Sequence, residues 1–192
     1  MFRALYDWTL RLAHHRHAVR SMAAVSFAES SFFPIPPDVV LVPVVLAQRD
    51  RAYWIATVCT VASVLGGILG YLIGYALLET VGAWLIRLYG MGDGIAAFQA
   101  TFAAYGAWII LLKGLTPIPF KLVTIASGIA QFNFPLFVLL ALITRGFRFF
   151  LIAFLLKKYG EPVQEFIERR LTLIGIAVVV ALVGGFAVIA LI

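Results

Sequence analysis

The stretch FFPIPPDVVLVPVVLAQ, residues 32–48, places four prolines and one aspartate in an otherwise apolar run. A related stretch, LTPIPFKLVTIASGIAQ, follows at residues 115–131. With a shift of 83 positions the two share Pro-Ile-Pro, one valine and a terminal Ala-Gln, which makes six identities over residues 33–48. Asp38 of the first copy falls on Lys121 of the second. The repeat indicates that the chain uses one proline-broken unit twice, and chance similarity between apolar segments is the weaker explanation.

The composition predicts an integral membrane protein. The chain has 192 residues, of which 63% are hydrophobic and 12% are charged, and its mean hydropathy is +1.02. A soluble domain of this length could not bury so much apolar surface. The net charge of +6 would also suit a nucleic-acid-binding protein, but we find no nucleic-acid motif and expect no nucleic-acid partner. The charge is better explained by membrane topology.

The prolines decide how the two broken segments meet the membrane. Pro34, Pro36 and Pro37 in the first copy, and Pro117 and Pro119 in the second, remove backbone donors and disfavour a continuous helix. Each arm of the first segment has only about half of the ~20 residues needed to cross a bilayer. Two interpretations compete: a kinked single span, or a re-entrant hairpin that turns at mid-depth.

The whole chain is predicted to be one all-α polytopic membrane domain. It would combine two inverted re-entrant hairpins, whose proline turns meet near the midplane, with about three full transmembrane helices. The predicted segments are an N-terminal amphipathic helix over 1–20, hairpin 1 over 21–48, a span over 53–78, an interfacial segment over 79–103, hairpin 2 over 104–131, a span over 134–156 interrupted at 144–148, a cytoplasmic segment over 157–170 and a span over 171–192.

Charge counting favours the re-entrant interpretation. If both broken segments are re-entrant and the N-terminus is cytoplasmic, ten of the fifteen basic residues lie on the cytoplasmic side. If both segments crossed fully, Arg49 and Arg51 would lie opposite the four N-terminal arginines. Since one full span separates the hairpins, they would enter from opposite sides. Inverted repeats with broken helices are typical of secondary transporters.

Six charged residues remain at membrane depth under this topology, and they define the candidate site. Two are acids and four are bases, and such residues usually face a partner or a wet cavity. The excess of buried cations suits an anionic headgroup such as phosphate, and two arginines three residues apart share a helix face. We predict Glu29 and Asp38 as proton-coupling acids and Arg145, Arg148, Lys121 and Lys113 as the headgroup-binding residues.

Other interpretations of these residues stay open. The acids could pair with the arginines only to let the hairpins insert, which would suit a non-transporting scaffold for envelope homeostasis. A small-ion or proton antiporter could use the same acids. The sequence contains no motif for a nucleophile, a cofactor or a metal, so we expect neither an enzyme nor a cofactor. Small-residue faces on the predicted spans would permit a homo-oligomer.

Three motifs resemble the DedA family, also called VTT-domain or SNARE-associated Golgi proteins. They are Glu29 followed by Pro34-Ile-Pro36, the segment GLTPIPFKLVTIASG at 114–128 and the segment TRGFR at 144–148. The resemblance covers roughly residues 20–160. It implies two opposed re-entrant hairpins in a bacterial inner membrane. It also implies movement of phospholipid or undecaprenyl phosphate between leaflets, often dependent on the proton gradient.

The resemblance also implies the roles of individual residues. Family members use a Glu and an Asp around the first hairpin, which correspond here to Glu29 and Asp38, and two arginines around the second hairpin. In this chain Lys113 precedes Gly114, and Lys121 stands where an arginine is usual. Lysine binds phosphate as a point charge, whereas arginine binds it with a bidentate fork.

Overall fold

The computed structural model describes residues 17–32, 36–82, 92–115 and 120–160, and it contains helices and no strand in these ranges. The predicted all-α class is therefore confirmed for the described residues. Their α-helices are α1 Ala18–Ser31, α2 Asp38–Ala47, α3 Ala52–Leu77, α4 Gly92–Leu115, α5 Phe120–Ile129 and α6 Phe134–Gly160. A 3-10 turn, Arg49–Arg51, joins α2 to α3, and α3 continues into a π-helical turn, Leu78–Gly82.

Three stretches of the described residues are long and apolar enough to cross a membrane: Arg49–Thr80, Gly94–Leu112 and Phe134–Gly160. They belong to α3, α4 and α6. By contrast, α1 has 14 residues, and α2 and α5 have 10 each. At ~1.5 Å per residue these are about 21 Å and 15 Å long, which is less than the ~30 Å of hydrocarbon. The chain therefore combines long helices with half-length ones.

The predicted boundary between an interfacial segment ending at residue 103 and a hairpin arm beginning at 104 is wrong. A single helix, α4, runs across it from Gly92 to Leu115. The sequence IAAFQATFAAYGAW, residues 95–108, contains many alanines, and alanine is the strongest helix former. Gln99 and the glycines at 90–94 do not outweigh that local preference once the helix has begun.

The polar run at 144–148 within the predicted span at 134–156 lies inside α6, which is continuous and extends to Gly160. The charged side chains in that stretch find partners on other helices, as described below, so the helix has no need to break there. The predicted span at 53–78 agrees with α3. The predicted span over 171–192, most of the N-terminal amphipathic helix over 1–20 and residues 161–170 lie outside the described residues.

The first hairpin runs along the N-terminal half of α3. Ser26 Oγ of α1 donates to Cys59 O at 2.9 Å, and Ser31 Oγ donates to Gly66 O at 2.9 Å. Because the residue numbers on α1 and on α3 increase together from the first contact to the second, the two helices are parallel. After the turn, α2 leads back through Arg49–Arg51 to the beginning of α3. The α1–α2 hairpin thus begins and ends at the N-terminal end of α3.

The second hairpin runs along the C-terminal half of α3. Tyr71 Oη of α3 donates to Phe132 O, just after α5, at 2.6 Å. Gln99 Nε2 of α4 donates to Ile129 O of α5 at 3.3 Å, and the Phe102 and Phe132 rings lie 5.7 Å apart. The α4–α5 hairpin therefore begins and ends near the C-terminal end of α3.

The last helix, α6, runs antiparallel to α3. The Tyr53 and Phe150 rings stack at 6.3 Å near one end of the pair, and the Tyr71 and Phe134 rings meet at 5.3 Å near the other. Asn133 Oδ1 accepts the Leu136 N–H at 2.9 Å and so caps the first turn of α6. This antiparallel pair forms the frame on which both hairpins pack.

The core consists of two apolar clusters separated by a polar layer. One cluster gathers around the beginning of α3 and includes Met22 and Leu41, whereas the other includes Ile110 and Phe137. The layer is formed by the hydrogen-bonded side chains of Glu29, Ser30, Ser63 and Arg145. The buried polar side chains of the described residues are Ser26, Glu29, Ser30, Ser31, Thr60, Ser63, Thr124, Ser127, Thr144 and Arg145. The layer lies where α1 ends and α5 begins. How the hairpins enter a bilayer stays a prediction.

Candidate functional site

The C-terminal end of α1 meets the N-terminal end of α5 in what we call the α1–α5 junction. The Phe120 N–H donates to Glu29 Oε1 at 3.1 Å, and Lys121 Nζ donates to Phe32 O at 3.2 Å. Thr124 Oγ1 also donates to Ser30 O at 3.1 Å. The acid of α1 thus stabilises the positive end of α5, and the base of α5 stabilises the negative end of α1.

Glu29 and Arg145 form a buried ion pair beside this junction. Arg145 Nη2 lies 2.9 Å from Glu29 Oε2, and the two side chains are only 4% and 6% exposed. Arg145 Nε donates to Ser63 Oγ at 2.7 Å, while Ser30 Oγ lies 2.7 Å from Ser63 Oγ and donates to Glu29 Oε2 at 3.2 Å. The pair is therefore part of a hydrogen-bonded network across α1, α3 and α6.

Two aromatic rings enclose the Arg145 guanidinium. Its Cζ lies 4.8 Å from the centroid of Phe120 and 4.8 Å from the centroid of Phe149. An unpaired charge at this depth would be costly, but carboxylate, hydroxyl and ring contacts together compensate a guanidinium for lost water. The Glu29–Arg145 pair is consequently closed, and a ligand could reach Arg145 only after Glu29 moved or became neutral.

Asp38 and Arg148 form a second pair that is more open. Arg148 Nη2 contacts Asp38 Oδ2, and the side chains are 22% and 25% exposed. The other carboxylate oxygen, Asp38 Oδ1, is buried and has no hydrogen-bond partner among the described residues. A buried oxygen of this kind keeps unused acceptor capacity. This pair therefore offers both an accessible guanidinium and a free acceptor.

The structure brings four of the predicted site residues together in these two pairs. Both acids come from hairpin 1, one on each side of its turn, and both arginines come from α6. The prediction that Arg145 and Arg148 share a helix face agrees with this geometry. Their forks are directed at carboxylates of the protein.

The other predicted residues take no part in the two ion pairs, or their side chains lie outside the described residues. Lys121 contacts the end of α1, while Asp38 pairs with Arg148, so the repeat partners bind different groups. Pro36 and Pro37 precede α2, and Pro37 O accepts the Leu41 N–H at 2.8 Å. The predicted residues whose side chains lie outside the description are Pro34, Lys113, Pro117 and Pro119. No group of three His, Cys, Asp or Glu that could hold a metal occurs in the described ranges.

Sequence reasoning missed the residues that hold Arg145 in place. Ser30 and Ser63 are uncharged and lie in apolar runs, and phenylalanine in such a run is equally expected at a lipid-facing position. Phe120 and Phe149 are in fact fully buried over the guanidinium. The available signal was the run SFAES at 26–30, since hydroxyls beside an intramembrane acid supply the hydrogen bonds that a buried charge requires.

The Ser63 hydroxyl is expected to stabilise the site measurably. Ser63→Ala removes the acceptor of the Arg145 Nε–H and leaves a buried donor unpaired, so the free energy of unfolding should fall by about 0.5–2 kcal/mol. Thr57→Ala is the matched control, because that hydroxyl is exposed on the same helix and bonds only Tyr53 O. Detergent unfolding of purified protein would compare the two, and equal midpoints would contradict the assigned contact.

Comparisons with known proteins place the chain in a family. The VTT domain family matches residues 35–158. A protein of Haemophilus influenzae, described as uncharacterized, is 36% identical over 94% of this chain and 93% of its own length. An uncharacterized protein of Histophilus somni is 33% identical over 94% of each. No solved structure matches the chain. With the family domain matching most of the chain, including Asp38, Arg145 and Arg148, and with relatives aligned over almost their whole lengths, this chain belongs to the VTT domain family, also called the DedA family.

Proposed function

We propose that the protein moves a phosphate-bearing lipid, either a phospholipid or undecaprenyl phosphate, between the leaflets of the inner membrane with coupling to protons. Membership of a membrane protein family and three apolar helices of spanning length support a multi-pass protein. The single observation that carries the proposal is the position of the two acid–arginine pairs. Both join hairpin 1 to α6 at the polar layer, where charged groups need a functional or structural reason.

In the proposed membrane arrangement, α3 and α6 cross the bilayer and the hairpins enter from opposite sides. The direction of the contacts supports this: hairpin 1 begins and ends at one end of α3, and hairpin 2 begins and ends near the other. The α1–α5 junction would then lie near the midplane. Non-helical backbone at that depth is tolerated where protein encloses it or where it lines water.

The exchange of a carboxylate for a phosphate is the proposed binding step. When Asp38 takes up a proton, its ionic contact with Arg148 weakens, and the guanidinium can then bind a lipid phosphate with two parallel hydrogen bonds. When the phosphate leaves, Asp38 releases its proton and pairs with Arg148 again. The partial exposure of this pair supports its role as the first contact with the headgroup.

The buried Glu29–Arg145 pair would control a second step, beside the α1–α5 junction. A proton on Glu29 weakens the contact with Arg145 and the acceptance of the Phe120 N–H together, because the same carboxylate makes both. Protonation would therefore loosen the α1–α5 junction and expose Arg145 simultaneously. Lys121 and Lys113 are proposed to add positive charge for the anionic headgroup.

Reconstituted protein can test this proposal. Liposomes with fluorescent phospholipid or undecaprenyl phosphate would report lipid movement by wild type, Arg148→Gln and Asp38→Asn. Arg148→Gln loses a charge-assisted hydrogen bond to phosphate and should slow movement roughly tenfold or more. Asp38→Asn should also slow it, because asparagine cannot take up and release the proton. Glu79→Gln is the control, since that acid is exposed near the C-terminal end of α3. Movement at the wild-type rate in both site variants would overturn the proposal.

A small-ion or proton antiporter is the second candidate function. The buried, unpartnered Asp38 Oδ1 favours it, because such an oxygen could receive a proton or a small cation. The two functions differ in their need for lipid substrate. Proton flux through the same liposomes that persists without any labelled lipid movement, and that stops in Asp38→Asn, would favour the antiporter.

A further inference from the structure

One end of the helix frame carries a concentration of positive charge. It is the end at which α1 and α3 begin and α6 finishes. The described charged residues there are Arg20, Arg49, Asp50, Arg51, Lys157 and Lys158. All but Arg49 are exposed. Five basic side chains thus accompany one carboxylate, and this surface plays no part in the proposed exchange at the polar layer.

Aromatic rings support the two lysines of this surface. Lys157 Nζ lies 4.8 Å from the ring centroid of Tyr53, while Lys158 Nζ lies 5.3 Å from that of Tyr159 and 5.8 Å from that of Phe154. Neither lysine is paired with a carboxylate in the described part of the chain. A ring stabilises an ammonium through its face and leaves the N–H donors free for an incoming anion.

The surroundings indicate which kind of anion would bind. Exposed Tyr53, Trp54 and Tyr159 mark the level of lipid headgroups, where amphipathic rings concentrate. Exposed Leu151 and Leu155 continue down α6 from the lysines toward the polar layer. The basic surface is therefore continuous with an apolar one, so a single lipid could contact the lysines with its headgroup and the leucines with its acyl chains.

We propose that Lys157 and Lys158, together with Arg51, bind the headgroup of an anionic phospholipid at this end of the protein. The Tyr53 and Tyr159 rings hold the two ammonium groups at the membrane surface, and the bound lipid lies along α6. This site is separate from the Asp38–Arg148 pair. It does not depend on whether the protein moves lipid, because it requires only a negatively charged headgroup at rest beside the helix.

A lipid titration tests the proposal on the full chain. Protein in zwitterionic nanodiscs would be titrated with phosphatidylglycerol or with additional phosphatidylcholine, and bound lipid would be counted by native mass spectrometry. We expect phosphatidylglycerol to bind preferentially and Lys157→Gln/Lys158→Gln to weaken its binding roughly tenfold to thirtyfold. Lys157→Arg/Lys158→Arg should retain binding, because arginine keeps both the charge and the ring contact.

Two further arms keep the outcome unambiguous. The same lysine change made in an Arg148→Gln background separates this surface from the proposed midplane contact and should weaken binding by a similar factor. Wild-type binding should also fall steeply as salt rises, since screening acts on exposed charges. Equal binding of the two lipids by wild type, or unchanged phosphatidylglycerol binding in the double glutamine variant, would overturn the proposal.

Discussion

Arg145→Met is expected to lower the free energy of unfolding by about 3–5 kcal/mol, because it leaves the Glu29 carboxylate buried without its cation. Methionine fills a similar elongated volume beside Phe120 and Phe149, so the loss should arise mainly from charge and not from a cavity. Detergent-induced unfolding of the purified protein, followed by helical circular dichroism, would measure the change. A midpoint equal to that of wild type would contradict the burial and pairing of this arginine.

Neutralising the partner as well is expected to restore most of that stability. Glu29→Gln/Arg145→Met leaves no charge at this pair, and glutamine Oε1 can still accept the Phe120 N–H that glutamate accepts. Replacing a buried ion pair by neutral groups that fit is often neutral or stabilising. Glu29→Gln alone is the comparison, since it leaves Arg145 buried and unpaired and should be nearly as unstable as Arg145→Met.

The double variant also separates the functional role of this pair from a purely structural one. If Glu29 carries a proton and Arg145 binds phosphate, the stabilised double variant should still fail to move lipid in liposomes. If the pair only allows hairpin 1 to insert, restored stability should restore every other property of the protein. Recovery of lipid movement together with stability would therefore favour a purely structural role for these two residues.

The sequence was sufficient to locate the charged residues of the site but not to pair them. A charge in an apolar run is costly, so Glu29, Asp38, Arg145 and Arg148 were identifiable from their surroundings alone. Their partners depend on which faces of α1 and α6 meet, and either acid could have reached either arginine.

The repeat aligns Asp38 with Lys121, an acid with a base, but it does not determine whether the two side chains meet. Each instead binds what lies nearest in the folded chain. Lys121, in the first turn of α5, reaches the terminal carbonyl of α1 at Phe32, because carbonyls at a helix end lack partners within their own helix. The sequence carries no signal that the ends of these two helices meet, because 89 residues separate Phe32 from Lys121.

Helix boundaries show the same limit. Charged and glycine residues around 79–103 favoured an interfacial segment, whereas α4 begins at Gly92 and continues through the predicted boundary. The proline turns predicted the short lengths of α2 and α5 well, because proline restricts the backbone wherever it occurs. Glycine near a helix start is more ambiguous, since its effect depends on the helix-forming residues that follow.

Gly74→Ala is expected to destabilise the protein by about 1–3 kcal/mol, because the added methyl group would fall on the carbonyl oxygen of Ile125. That contact is with backbone of α5, so a side-chain rotation cannot relieve it and hairpin 2 must shift away from α3. Gly67→Ala is the matched control on the same helix. Its added Cβ would lie 3.4 Å from Thr124 Cγ2, an ordinary contact.

Gly74→Ala should lower the free energy of unfolding, whereas Gly67→Ala should not. Alanine in a helix interior is normally better than glycine by roughly 0.5–1 kcal/mol, and Gly67→Ala should show that gain or no change. Gly94→Ala, at a position with no atom within 4 Å of the added Cβ, supplies the unobstructed reference near the beginning of α4. Unfolding midpoints of the three variants would decide the matter, and a stabilising Gly74→Ala would refute close packing of α5 on α3.

Gly66 packs against hairpin 1 as Gly74 packs against hairpin 2, and the two glycines together allow a test of function. An added Cβ at Gly66 would fall on the carbonyl oxygen of Phe27 in α1, so Gly66→Ala should displace α1 as Gly74→Ala displaces α5. Either displacement separates the two ends of the α1–α5 junction, and with them Glu29 from the Phe120 N–H. If the seating of both hairpins on α3 sets the geometry for lipid movement, both variants should slow it and Gly67→Ala should not. Normal movement in Gly66→Ala and Gly74→Ala, despite lowered stability, would mean that the junction is not required for transport.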